Sequence, residues 1–205
     1  MSLLGDAVEW VAWNPGSSRT VRFMPRYGAL RSMPSVTNYS ISINIDATGD
    51  QNVYNDSTGV VRYIIRDIPL SLGYEEWVIG DENITTDMSK SLQRIVVQRG
   101  VEYTNVTLDF VVRMTKTTMM TSQGTVDLIK IWVIDVNTTM RGYTGDVGIK
   151  CSGVETEVVA WPGTDPATAS SATITVDYWG QSESRTYAID TGKVYVQIIV
   201  GKVTL

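Results

Sequence analysis

From Val36 onward the chain alternates. Tyr39, Ile41, Ile43 and Ile45 fall on one side and Asn38, Ser40, Ser42 and Asn44 on the other, the period-two signature of a strand with one buried face. The same alternation sets Val106, Leu108, Phe110, Val112 and Met114 against Asn105, Thr107, Asp109 and Arg113. Val60 to Ile68, stopped by Pro69, is apolar on both faces, and Val126 to Val136, which carries Trp132, is a strongly apolar strand. Runs of that kind suit strands covered on both sides. Shorter strands are expected at 143–151, 154–161, 172–179 and 185–190, with a last one at 193–204. The turn-rich Asp46–Asp50, the polar run Thr115 to Thr125 (expected to be a long hairpin tip) and the small-residue loop Pro162–Ser171 separate them.

Two stretches break the pattern. In 85–100, Met88, Leu92, Ile95 and Val96 recur at i, i+4, i+7 and i+8, with Thr85 or Thr86 as a cap and Arg99-Gly100 as a stop, which predicts a helix. Residues 1–35 are irregular: Trp10, Trp13, Pro15-Gly16, Pro25 and Pro34 punctuate short apolar pieces around one strand at Thr20–Met24. They read as an arm that packs on the domain or on a neighbouring subunit. The expected fold is therefore all-β, a mainly antiparallel β-sandwich or barrel with jelly-roll-like topologies included. One short α-helix near 86–99 and an extended N-terminal arm complete it. The domains are an arm, 1–35, and a single β domain, 36–205.

The chain carries no histidine and one cysteine, Cys151. That removes imidazole-based nucleophilic catalysis, an internal disulfide and a Cys/His zinc site. Cys151 reads as a small buried residue closing a strand. Ser89-Lys90-Ser91 is the nearest look-alike of a Ser-Lys pair and reads as a solvated face. Paired carboxylates are the remaining catalytic option. Glu155 and Glu157 share one face of a strand about 6.5–7 Å apart, beside Trp161, a separation that overlaps inverting sugar hydrolysis. The plainer reading is an exposed strand face. Asp81, Glu82, Asn83 and Asp87, and again Asp46, Asp50 and Asn52, offer hard oxygens but not an EF-hand spacing, so each reads as an acidic turn. The six tryptophans (10, 13, 77, 132, 161, 179) are dispersed and read as core or interface anchors. Catalytic residues, metal ligands and cofactors are expected to be absent.

The formal charge of −5 and pI near 4.8 argue against a nucleic-acid partner. No stretch reaches the roughly 20 apolar residues of a membrane helix. MSLLGDAVEW lacks the basic and apolar regions of a secretory signal, so the chain is expected to be used without such export. The asparagines point the other way. Five of eight head N-x-S/T sequons, Asn38, Asn55, Asn83, Asn105 and Asn137, where chance supplies about one or two. These are the candidate N-glycosylation sites.

The functional expectation is a self-assembling structural protein of a virion (capsid, turret or tail tube). Its partners would be copies of itself and other structural proteins, without direct nucleic-acid contact or membrane insertion, and its place a virion or extracellular surface structure. The alternatives are an extracellular filament, pilus or surface-layer subunit assembled by strand exchange through the arm, and a carbohydrate-binding module or glycosidase built on Glu155, Glu157 and Trp161. On the first two readings, removing residues 1–34 would leave a folded domain that no longer assembles.

Overall fold

The computed structural model of the chain describes residues 1–46, 49–66, 68–87, 91–122, 124–139, 141–159 and 167–205. It is all-β with a single helix, α1 (Ser2–Ala12). One sheet is ordered β1 (Ser18–Phe23), β11 (Gly145–Val159), β15 (Lys193–Thr204), β9 (Gly124–Asn137), β8 (Val112–Thr121), β5 (Thr85–Thr86), with β12 (Ala167–Thr168) also on β15. The second is ordered β14 (Gln181–Ala188), β13 (Ser171–Tyr178), β2 (Ala29–Ile45), β3 (Gln51–Arg66), β7 (Tyr103–Phe110), β6 (Gln93–Arg99), β4 (Glu75–Ile79), with β10 (Arg141–Tyr143) also on β2. Pairing is antiparallel except for β9 with β15 and β5 with β8.

The two sheets enclose two cores, one on each face of the first sheet. Along β9, Ile129, Ile131 and Val133 belong to one core and Ile134 and Val136 to the other. Because successive strand residues point to opposite faces, the change between Val133 and Ile134 places the cores back to back. β15 changes sides in the same way, with Val194, Val196, Ile198 and Val200 in the first core and Val203 in the second. The long β2–β3 hairpin wraps round to cover both. Tyr39, Ile41, Ile43 and Ile45 pack on one face of the first sheet, and Leu30 and Val61 on the other. The wrap is made at a register shift between Met33 and Thr37, opposite Gly59. A Cβ on Gly59 would stand 2.8 Å from the Met33 carbonyl and 2.9 Å from that of Val136, so only glycine lets the two sheets approach there. This explains why Val126–Val136 is apolar on both sides.

The helix lies at Ser2–Ala12, not near 86–99. Among the described residues the latter region holds β5 and β6, while Met88, Ser89 and Lys90 lie outside them. The helical spacing of Leu92, Ile95 and Val96 is a by-product of a strand buried on both faces: Gln93, Arg94, Ile95 and Val96 are all buried, and a β-branched run favours extension. β6 pairs with β7 from Gln93–Phe110 to Arg99–Thr104.

The N-terminal segment is correspondingly not an extended arm. Leu4, Ala7, Val8, Val11 and Ala12 form the buried stripe of α1 and fill the second core. Burying Leu4, Val8 and Val11 contributes about 1.5–3 kcal/mol each. On the polar side, Glu9 accepts hydrogen bonds from the Ser91 hydroxyl (2.5 Å) and the Leu92 amide (3.2 Å), and Asp6 from Gln93 Nε2 (2.6 Å). Gly201 of β15 passes so close under the last turn that a Cβ would sit 2.7 Å from the Ala12 carbonyl. Residues 18–23 then pair with 145–150, and β2 begins at Ala29. Elsewhere the polar run from Thr115 is paired strand as far as Thr121–Gly124, and 145–159 is one strand bent by a bulge between Cys151 and Gly153.

Candidate functional site

The most chemically loaded interior feature is a polar seam where the sheets part beyond the first core. β3 contributes Asp56 and Ser57, β9 contributes Asp135, and β11 and β15 contribute Ser152 and Lys202, around a hollow of about 260 Å³. Asp135 is 9% exposed, within the buried run Val133–Val136 of β9. Lys202 is its register neighbour on β15 and makes a 2.6 Å ion pair with Glu155. Burial first, then the charges of Asp56 and Glu155, push the Asp135 carboxyl up to about 6, against the pull of Lys202 and the Thr58 hydroxyl. Burial, then the charges of Asp135, Asp56 and Glu155, raise Tyr54 above its ordinary range, and its buried hydroxyl has no hydrogen-bond partner among the described residues. The seam therefore takes up a proton just below neutral pH. The hydroxyls of Ser35, Ser57, Ser152 and Thr138 nearby have no imidazole to activate them.

A second polar feature is structural. Arg94 and Asp109, both nearly fully buried, face each other in the β6–β7 register and form a two-pronged pair at 2.9 and 2.8 Å. Arg94 also donates to the carbonyls of Glu82 (3.3 Å) and Asn83 (3.2 Å) and lies over the rings of Trp77 and Tyr178. The pair ties the segment before β5 to the sheet. A groove of about 890 Å³ opens where β2 starts, β3 ends and β7 starts, and is lined by Tyr27, Tyr63, Tyr103, Arg31 and Arg66 beside Ile64 and Ile68.

Glu155 and Glu157 do share a strand face, paired with Val200 and Ile198. Glu155 is engaged by Lys202, and the carboxylate whose charge it acts on is Asp135, two strands away in the same sheet. Trp161 lies outside the described residues, as does the first half of the Pro162–Ser171 loop, 162–166. Asp81 accepts from the Asn83 amide (3.0 Å), and Asp46 from the amides of Ser170 and Ser171, so both acidic turns spend carboxylate oxygens on their own backbone or the next strand. Asp50 accepts from Asn44 Nδ2. Among the described residues no three acidic or sulfur ligands come together as a metal site, and no described helix is long and apolar enough to cross a membrane. Cys151 is buried in the second core. Asn38, Asn55, Asn83 and Asn137 are exposed and Asn105 is half-buried.

The tryptophans separate into two kinds. Trp13 packs edge-on against Trp132 (5.2 Å), Trp77 lies under Arg94, and Trp10 carries Arg19 at 3.9 Å. Trp179 instead sits in the β13–β14 turn, 41% exposed, close to the 42% of Trp10 but without a guanidinium over its ring among the described residues. The Asp56–Asp135 seam and the Arg94–Asp109 pair escaped sequence reasoning because their partners meet only through sheet packing. The one signal was a charged residue inside an apolar run. Comparison of the chain with family models, curated proteins and solved structures found no match.

Proposed function

We propose that the chain is the subunit of a self-assembling structure, of the kind that builds a virion shell, turret or tail tube. The observation that carries this reading is the open face of the first sheet. Leu128 alternates with Ile129, a residue of the first core, and so looks away from it. Tyr195 is its neighbour in register, and Gln197 with Val158 continues the strip. Met119, Leu128, Val158, Tyr195 and Gln197 line a shallow hollow of about 230 Å³, with Val158 55% exposed. Both cores are filled without these side chains. Large apolar groups left over on one face, Met and Tyr among them, suit a surface that another subunit covers.

Two further features agree with the reading. β1, β4 and β14 are sheet edges, with backbone groups free to extend a sheet or to need cover. Met120 (84%), Met24 (78%) and Leu72 (70%) are further exposed apolar side chains. Because α1 belongs to the second core, assembly by lending out the N-terminal segment would cost that core, so surface-to-surface packing is favoured over strand exchange. Negative-stain electron microscopy with light scattering across a concentration series tests the proposal. Rings, shells or tubes are expected, weakened by Val158→Glu, which places a charge on the strip without touching either core. Monomers at every concentration would overturn it.

A further inference from the structure

We propose that Trp179 is a platform for a sugar ring seated beside Asn38. The inference does not depend on assembly. β13 and β14 are joined by the two residues Trp179 and Gly180, since Tyr178 pairs with Gln181. Both turn residues have positive φ, +53° and +74°. That geometry matches the twist of a hairpin and is normally filled by Asn-Gly or Gly-Gly, because an L side chain with a bulky Cβ substituent is strained there. Tryptophan is a poor choice for the turn itself. It gains little packing in return: the ring meets Tyr178 only edge-on, 6.1 Å between centroids, and stays 41% exposed. Strain of this kind persists where surrounding structure imposes it and is concentrated at binding sites.

A second strained residue lies across the same hollow. Ser35 has φ +47° and, with Val36, Thr37, Asn38, Trp179 and Gly180, lines an open space of about 500 Å³. The β2–β13 ladder ends at Tyr39–Tyr178, whose rings stack at 4.2 Å, so the next residues outward on the two strands are Asn38 and Trp179. A partly exposed tryptophan thus stands next to an exposed sequon asparagine, with Ser35, whose hydroxyl accepts from that of Ser57 at 3.4 Å, also on the lining. A pyranose has an apolar C–H face that lies on an indole and hydroxyls at its edge that need polar neighbours, and this hollow supplies both. The sugar has two sources: the first residues of a glycan on Asn38, or a separate saccharide.

The experiment has one arm for each source. In the first, protein made in a glycosylating host and shown by glycopeptide mass to carry a glycan on Asn38 is treated with an endoglycosidase that trims the glycan to its first sugar and an amidase that removes it. Because the amidase leaves aspartate at position 38, the Trp179 indole N–H resonance of the sugar-bearing protein should differ from that of the amidase product by more than the Asn38→Asp change alone moves it. In the second, Asn38→Gln protein is titrated with N,N′-diacetylchitobiose, which should shift the same resonance. Trp179→Asn, a residue the turn accepts readily, should fold normally and bind the disaccharide about tenfold more weakly or not at all. A shift in either arm supports the platform and names its source. If Asn38 carries no glycan, the second arm alone decides. The proposal is overturned when neither arm moves the Trp179 resonance, or when the parent binds chitobiose and Trp179→Asn binds it equally well.

Discussion

Replacing Asp135 with asparagine removes the charge from the seam between the sheets and keeps its shape. The carboxyl is raised from an ordinary value of 3.8 to about 6, so its ionised form is disfavoured in the folded chain. Its stabilising contribution is fully present below the unfolded value, where both states are protonated, and is lost as pH rises through about 6. Two units correspond to at most about 3 kcal/mol, and water in the open hollow and Lys202 reduce that to roughly 1–2 kcal/mol. Asp135→Asn should therefore be more stable than the parent by about that amount at pH 7.5, with roughly a third of the advantage left at pH 4.5 and almost none at pH 3. Urea unfolding followed by tryptophan fluorescence at four pH values measures it. With a slope near 2 kcal/mol per molar urea, the midpoint gap should close by roughly 0.5–1 M. Comparison with the parent at each pH cancels Asp46 and Asp127, whose hydrogen bonds hold them low and which pull stability the other way in acid. A gap of constant size across the range, of either sign, would refute the reasoning.

Other consequences are as direct. Gly201→Ala should cost about 1–3 kcal/mol, because the added methyl meets the Ala12 backbone rather than a movable side chain, and thermal unfolding reads it. Arg94→Met should cost about 3–5 kcal/mol by stranding the buried Asp109, and Asp109→Asn in the same chain should recover part of that loss in a double-mutant cycle. Deleting residues 1–17 should expose the second core and give a chain that binds a hydrophobic dye or fails to fold. A stable, dye-silent deletion would mean that α1 is a detachable arm after all.

Much of the strand content was legible because it is a one-dimensional signal. Tyr39–Ile45 and Val106–Phe110 needed only a period of two, although the alternation read on through Met114 in fact breaks at Val111, where the chain passes from one sheet to the other. The final strands at 172–179 and 193–204 were bounded by turns that the chain states locally. Misreading came where burial on both faces erases the period. Gln93–Val97 has no polar side to mark it as a strand, and its apolar residues happen to fall at helical intervals. The true helix carries Leu4, Ala7, Val8 and Val11 at helical spacing, but Gly5 and the adjacent Trp13–Gly16 segment gave it the look of an irregular leader.

The sites show the same division. That Asp135 is out of place among Val133, Ile134 and Val136 is written in the local sequence. That it meets Asp56 depends on a strand 79 positions earlier laid across it by the bend at Gly59. Asn38 is a sequon in any conformation, yet its nearness to Trp179, 141 positions away, exists only because β13 pairs with β2. Composition and periodicity settle which residues must be hidden and which face water, since burial acts on each side chain separately. Which hidden or exposed groups become neighbours is settled by strand order and sheet wrapping, because a charge or a ring acts on whatever the fold brings within a few ångströms, however distant along the chain.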